Sequence, residues 1–137
     1  MAEDVQHKHL IVRAEVSEPP KDKLKSKIWM MELIENIGMK LLKGPYAEYV
    51  TKEGNKGVTC VAIIETSHLA MHVWDELDPA LLQLDVYTCG ALDTQLVFDA
   101  LEQYKPVKIE WKFLDREHNL KLVEETLSSG KIIQRDT

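Results

Sequence analysis

Apolar and polar positions alternate in several short runs of this chain, and two longer runs repeat every three to four residues. His9 to Val16 is short and β-branched and ends at Ser17-Glu-Pro-Pro20, where proline cannot continue a ladder, so it predicts a strand. From Asp22 to Lys43, apolar residues at Leu24, Ile28, Met31 and Ile34, and again at Met30, Leu33, Ile37 and Leu41, carry helical spacing, and Gly44-Pro45 is the expected stop. Pro45 to Val50, Val58 to Glu65, Leu69 to Trp74 and Leu81 to Cys89 read as strands. Lys52 to Gly57 supplies turn chemistry, and the Thr66-Ser67-His68 junction must be tight or bent. Asp93 is placed to cap a second helix with apolar face Leu96, Val97, Ala100 and Leu101, and Pro106 blocks its continuation. Val107, Ile109, Trp111 and Phe113 alternate with Lys108, Glu110 and Lys112 as in a strand with one wet face, and Leu120 to Leu127 predicts a short helix in the tail.

This order predicts an α+β fold: a two-layer sandwich in β-α-β-β-β-α-β-like order, its antiparallel sheet covered on one face by two helices. Residues 1–137 suit one domain, with the tail 115–137 peripheral. The central strands read as apolar on both sides, so the other sheet face is expected to pack against a second copy in a homodimer.

Charge and composition narrow the partners. A formal charge of −6 repels phosphate backbones and leaves no footprint for nucleic acid. No run approaches the roughly 20 apolar residues that span a bilayer, and Met1-Ala2-Glu3-Asp4 is acidic where a secretory signal is basic, so a cytoplasmic protein with no membrane partner is expected. Cys60 and Cys89 lack metal or disulfide spacing, and His7, His9 and His68 form no zinc-like set, so no metal is expected.

Three segments carry more than periodicity: Gly57-Val-Thr-Cys60, Ile64-Glu-Thr-Ser-His-Leu-Ala-Met-His-Val-Trp-Asp-Glu76 and Leu84-Asp-Val-Tyr-Thr-Cys-Gly90. Taken singly, Ser67 reads as a turn serine, His72 as a core histidine and Cys89 as a small buried hydrophobe. Their joint order resembles the prokaryotic S-adenosylmethionine decarboxylases, whose pattern has Glu-Ser-His-Leu, a histidine five after the serine, Trp-x-Glu and Asp-x-Phe-Thr-Cys-Gly. His9-Leu10 with Ala14-Glu15 looks like the family's opening strand, and the resemblance extends over most of residues 8 to 113.

The resemblance implies a chain that cuts itself between Thr66 and Ser67 and converts Ser67 into a pyruvoyl group. Decarboxylating an amino acid needs an electron sink that ordinary side chains lack, and the pyruvoyl group takes the place of pyridoxal phosphate. By the same resemblance His72 abstracts a proton during cleavage, a task suited to imidazole. Thr59 stands where the family has a serine that helps processing, Cys89 returns a proton to the substrate, Glu76 binds the ribose hydroxyls of S-adenosylmethionine, and Trp74 lines the same cleft.

Three departures bear on activity. Thr66 replaces a glutamate, and its branched β-carbon crowds the carbonyl to be attacked, which predicts slow or absent self-cleavage. About two extra residues fall within Leu77 to Leu82, and Tyr87 replaces phenylalanine. Three functions follow: S-adenosylmethionine decarboxylation for spermidine synthesis, pyruvoyl decarboxylation of another amino acid such as arginine or ornithine, or an unprocessed regulatory relative.

Overall fold

The computed structural model describes residues 6–65 and 67–125. Seven strands and two α-helices follow in the order β1 (Lys8–Val16), α1 (Lys23–Asn36), β2 (Leu41–Val50), β3 (Gly57–Ile64), β4 (Ser67–Trp74), β5 (Ala80–Thr88), α2 (Thr94–Leu101), β6 (Pro106–Asp115) and β7 (Lys121–Glu125). All strands join one antiparallel sheet in the spatial order β2-β3-β4-β5-β1-β6-β7. Four strands lie between the helices, matching the four segments read as strands and one more than the β-α-β-β-β-α-β-like order allows. The predicted helix at Leu120 is a strand instead: Lys121–Glu125 pairs with β6, and edge pairing overrides local helical spacing. Thr126 and Leu127 lie outside the described residues.

α1 also ends earlier than its apolar spacing predicts. Asp22 caps its start, accepting from the Lys25 N–H at 2.9 Å. At the other end Gly38 takes a positive φ of 77°, its N–H donates to Glu35 O, and the Met39 N–H donates to Ile34 O, both at 3.0 Å. That is a Schellman closure; it frees Leu41 to Lys43 to open β2, so Gly44-Pro45 falls inside a strand rather than at a helix end. α2 is capped by Asp93 as predicted, accepting from the Gln95 N–H at 3.0 Å. Its buried face is Thr94, Val97, Phe98 and Leu101, with Leu96 and Ala100 only half-buried.

Both helices cover the same sheet face. Leu10, Val12, Ala14 and Val16 of β1, Leu69 and Met71 of β4, and Leu82, Leu84 and Val86 of β5 pack beneath Trp29, Met30, Leu33 and Ile34 of α1 and Val97, Phe98 and Leu101 of α2 as one buried core. The Trp29 indole donates to Ala100 O at 2.8 Å, tying α1 to α2. The opposite sheet face is mixed rather than apolar. Arg13, Glu15, Gln83, Asp85, Glu110 and Lys112 share it with Ala70, Val61 and Ile63, because antiparallel strands need only one greasy face. No helix among the described residues is long and apolar enough to cross a membrane.

Candidate active site

Ser67 opens β4 and pairs with Ile64 at the end of β3, so the connection between the two strands is short. The tight junction expected here is therefore found, while Thr66 itself lies outside the described residues. Ser67 is 8 % exposed, and among the described residues its Oγ makes no hydrogen bond. A buried, unsatisfied hydroxyl costs about 1–3 kcal/mol, a cost that a purely structural serine would normally avoid by finding a partner.

Cys89 lies beside the same hairpin. It follows β5, and the β4–β5 register, which sets His68 opposite Tyr87, carries it up to the β3–β4 turn. Its half-exposed thiol lies 3.7 Å from Glu65 O, and its own carbonyl accepts from the Gln6 N–H at 3.0 Å. The Thr88 hydroxyl donates to Gly90 O at 2.9 Å, fixing the turn that follows. Cys89 is thus brought to the turn that precedes Ser67, although the two are far apart in sequence.

His72 is not part of that group. Five residues along an extended strand amount to about 16 Å, and an odd separation turns the side chain to the other face. Ser67 faces the helices and His72 the open side. There Thr59 Oγ1 and His72 Nδ1 stand 3.2 Å apart on paired residues of β3 and β4. The Trp74 ring lies 6.3 Å from the His72 ring, and its indole donates to Asn55 Oδ1 at 3.3 Å. Val50, Asn55, Gly57, Thr59, His72 and Trp74 line a pocket of about 160 Å³.

Gly57, on the lining of that pocket, lets β3 close on the backbone of β4. Its φ is 157°, and a β-carbon there would lie 1.7 Å from Val73 O, so no other residue lets β3 begin against β4 in this way. Glu76 stands behind the rim instead of in the pocket. Its Oε1 accepts from the Gly54 N–H at 2.8 Å and the Lys56 N–H at 3.2 Å, holding the β2–β3 turn against the β4–β5 turn. Tyr49 braces the same junction by donating to Asp75 at 2.7 Å. Sequence reasoning gave Asn55 and Gly57 a turn role and Tyr49 a strand position only, because turn composition alone does not reveal which turn folds against which strand.

On the open face near the Ser67 end, His9, His68, Tyr87 and Arg116 pack together. Arg116 lies over the Tyr87 ring at 4.1 Å, and His9 Nε2 is 3.3 Å from Asp85. Burial holds the His9 imidazole below its ordinary 6.5, against the opposing pull of Asp85. Cys60 is core, as the sequence predicts: burial pushes its thiol up to about 11. Asp115, Glu117 and His118 also gather at the β6–β7 turn, where the Lys8 ammonium, 3.6 Å from Asp115, competes for the carboxylate a cation would need.

A sequence model of the S-adenosylmethionine decarboxylase family matches residues 8–117. The chain belongs to this family. Over 64 residues it is 42 % identical to an S-adenosylmethionine decarboxylase proenzyme of Pyrobaculum islandicum, covering 45 % of this chain and 50 % of that one. Over the same length it is 41 % identical to the proenzyme of that name from Archaeoglobus fulgidus, covering 44 % of this chain and 54 % of that one. These matches span about half the length of each curated relative. The fold resembles the crystal structure of the adenosylmethionine decarboxylase from Aquifex aeolicus VF5, with a TM-score of 0.60, 18 % identity and 98 % of both chains covered.

Proposed function

We propose that the chain decarboxylates S-adenosylmethionine in the cytoplasm, for spermidine synthesis, after cutting itself between Thr66 and Ser67. One observation carries this reading: a buried hydroxyl at the start of β4 with no partner among the described residues, next to a turn that a thiol reaches. A serine that satisfied its own hydrogen bond would be less available to attack the preceding carbonyl, so the arrangement fits a residue that becomes a pyruvoyl group. When present, that group supplies the electron sink for the pair left by a departing carboxylate. Cys89 Sγ would return the proton to the substrate.

Thr59 holds the His72 ring on the open sheet face, the face that would pack against a second copy in a homodimer. Trp74 would line the substrate pocket. Glu76 has Oε1 engaged by two backbone N–H groups, so its contribution to ribose binding falls to its other oxygen.

The intact mass of the purified chain under denaturing conditions tests the reading. Two fragments, 1–66 and 67–137, are expected; a single uncut chain would sink the enzyme readings and leave the unprocessed regulatory relative. Carbon dioxide release from carboxyl-labelled S-adenosylmethionine, arginine and ornithine then tests the substrate, and release from either of the last two alone would overturn it.

A further inference from the structure

α1 is apolar on both sides. Trp29, Met30, Leu33 and Ile34 are buried against the sheet, which is the burial a surface helix requires. Leu24, Ile28 and Met31 form a second stripe on the outward side, 63 %, 46 % and 49 % exposed. Their spacing places them along one line of the helix surface. A shallow groove of about 200 Å³ runs beside them, lined by Ile28, Met31, Glu32 and Glu35.

Charge along this stripe is divided by position. Lys21 and Lys25 lie at its N-terminal end and Glu32 and Glu35 at its C-terminal end, all exposed. Among the described residues none of the four forms an ion pair within the chain. At about 100° per residue, Lys25 and Glu32 fall on one flank of Ile28 and Leu24 and Met31 on the other.

We propose that α1 is a self-association surface, on which two copies pack antiparallel about a two-fold axis at Ile28. Reversing the helix direction sets the residue one turn before Ile28 against the residue one turn after it. Leu24 then meets Met31 on one flank and Lys25 meets Glu32 on the other. A two-fold axis lying in the contact keeps each flank on its own side, so both matches are made twice. Parallel packing would set lysine on lysine and glutamate on glutamate, which is disfavoured.

The helix spans about 21 Å, too little to bury the roughly 1,600 Å² of a standard interface, so the contact is weak and concentration-dependent. It is separate from the open sheet face and does not rest on the function proposed above. A sheet-paired dimer would be joined by it into a tetramer, and a lone chain into a dimer.

Sedimentation velocity of the full chain over a concentration range tests this. The wild type should gain mass with concentration, and Ile28→Glu should halve the mass reached. Lys25→Glu and Glu32→Lys should each weaken association by about 10-fold, through the like charges they create. The double change K25E/E32K restores the charge match and should return association to the wild-type level. Circular dichroism of each variant distinguishes lost contact from lost fold. A wild type of constant mass, single variants that associate as before, or a double variant that stays dissociated despite native dichroism would each overturn the proposal.

Discussion

The two ends of strand β4 are built to opposite specifications. At its start, Ser67 is sealed against the helix-covered face, its hydroxyl unpartnered among the described residues, with the Cys89 thiol close to the neighbouring turn. At its other end, His72 and Trp74 look onto the open face, each tied to a partner, Thr59 and Asn55, around a pocket. The first end has an atom with nothing to hold it, and the second has held groups with space beside them. This division fits the proposal that the chain reacts first with itself and then with a small molecule.

The comparison breaks most completely at Ser67. Ser67→Ala should abolish cleavage, leaving one chain by denaturing gel and intact mass, and a variant that still splits would move the reactive hydroxyl elsewhere. Cys89→Ala should leave the two fragments but reduce carbon dioxide release by about 100-fold or more, the usual scale for a lost general acid. Equal turnover would remove the thiol from the reaction.

The pocket end should respond in stability before chemistry. Gly57→Ala forces a β-carbon onto Val73 O at an unfavourable φ and should cost about 2–3 kcal/mol, read as a lower midpoint in urea. An unchanged midpoint would mean that the β2–β3 turn moves aside freely. Smallest is Thr59→Val, which removes the His72 partner and should cost about 1 kcal/mol, or roughly fivefold in cleavage rate if His72 serves it. A fivefold loss of stability with no change in cleavage would confine the pair to structure.

Much of the fold was legible because alternation in β1, β3, β4, β5 and β6 is a local property of each segment. The end of α1 was not, since Ile34, Ile37 and Leu41 keep helical phase straight through Gly38. Only the Schellman hydrogen bonds reveal where the helix stops. The tail strand β7 was misread for a related reason: its pairing partner, β6, decides its conformation.

By itself the sequence determined the candidate residue types and their order, but it placed Ser67 in a tight junction, and only the pairing of β4 puts it in the same strand as His72 and on the opposite face. The tertiary structure decided which of them meet. Cys89 reaches the Ser67 hairpin, and Glu76 is drawn to the β2–β3 turn, because strand register joins positions distant along the chain, and register is fixed by the hydrogen-bond ladder and the buried face together.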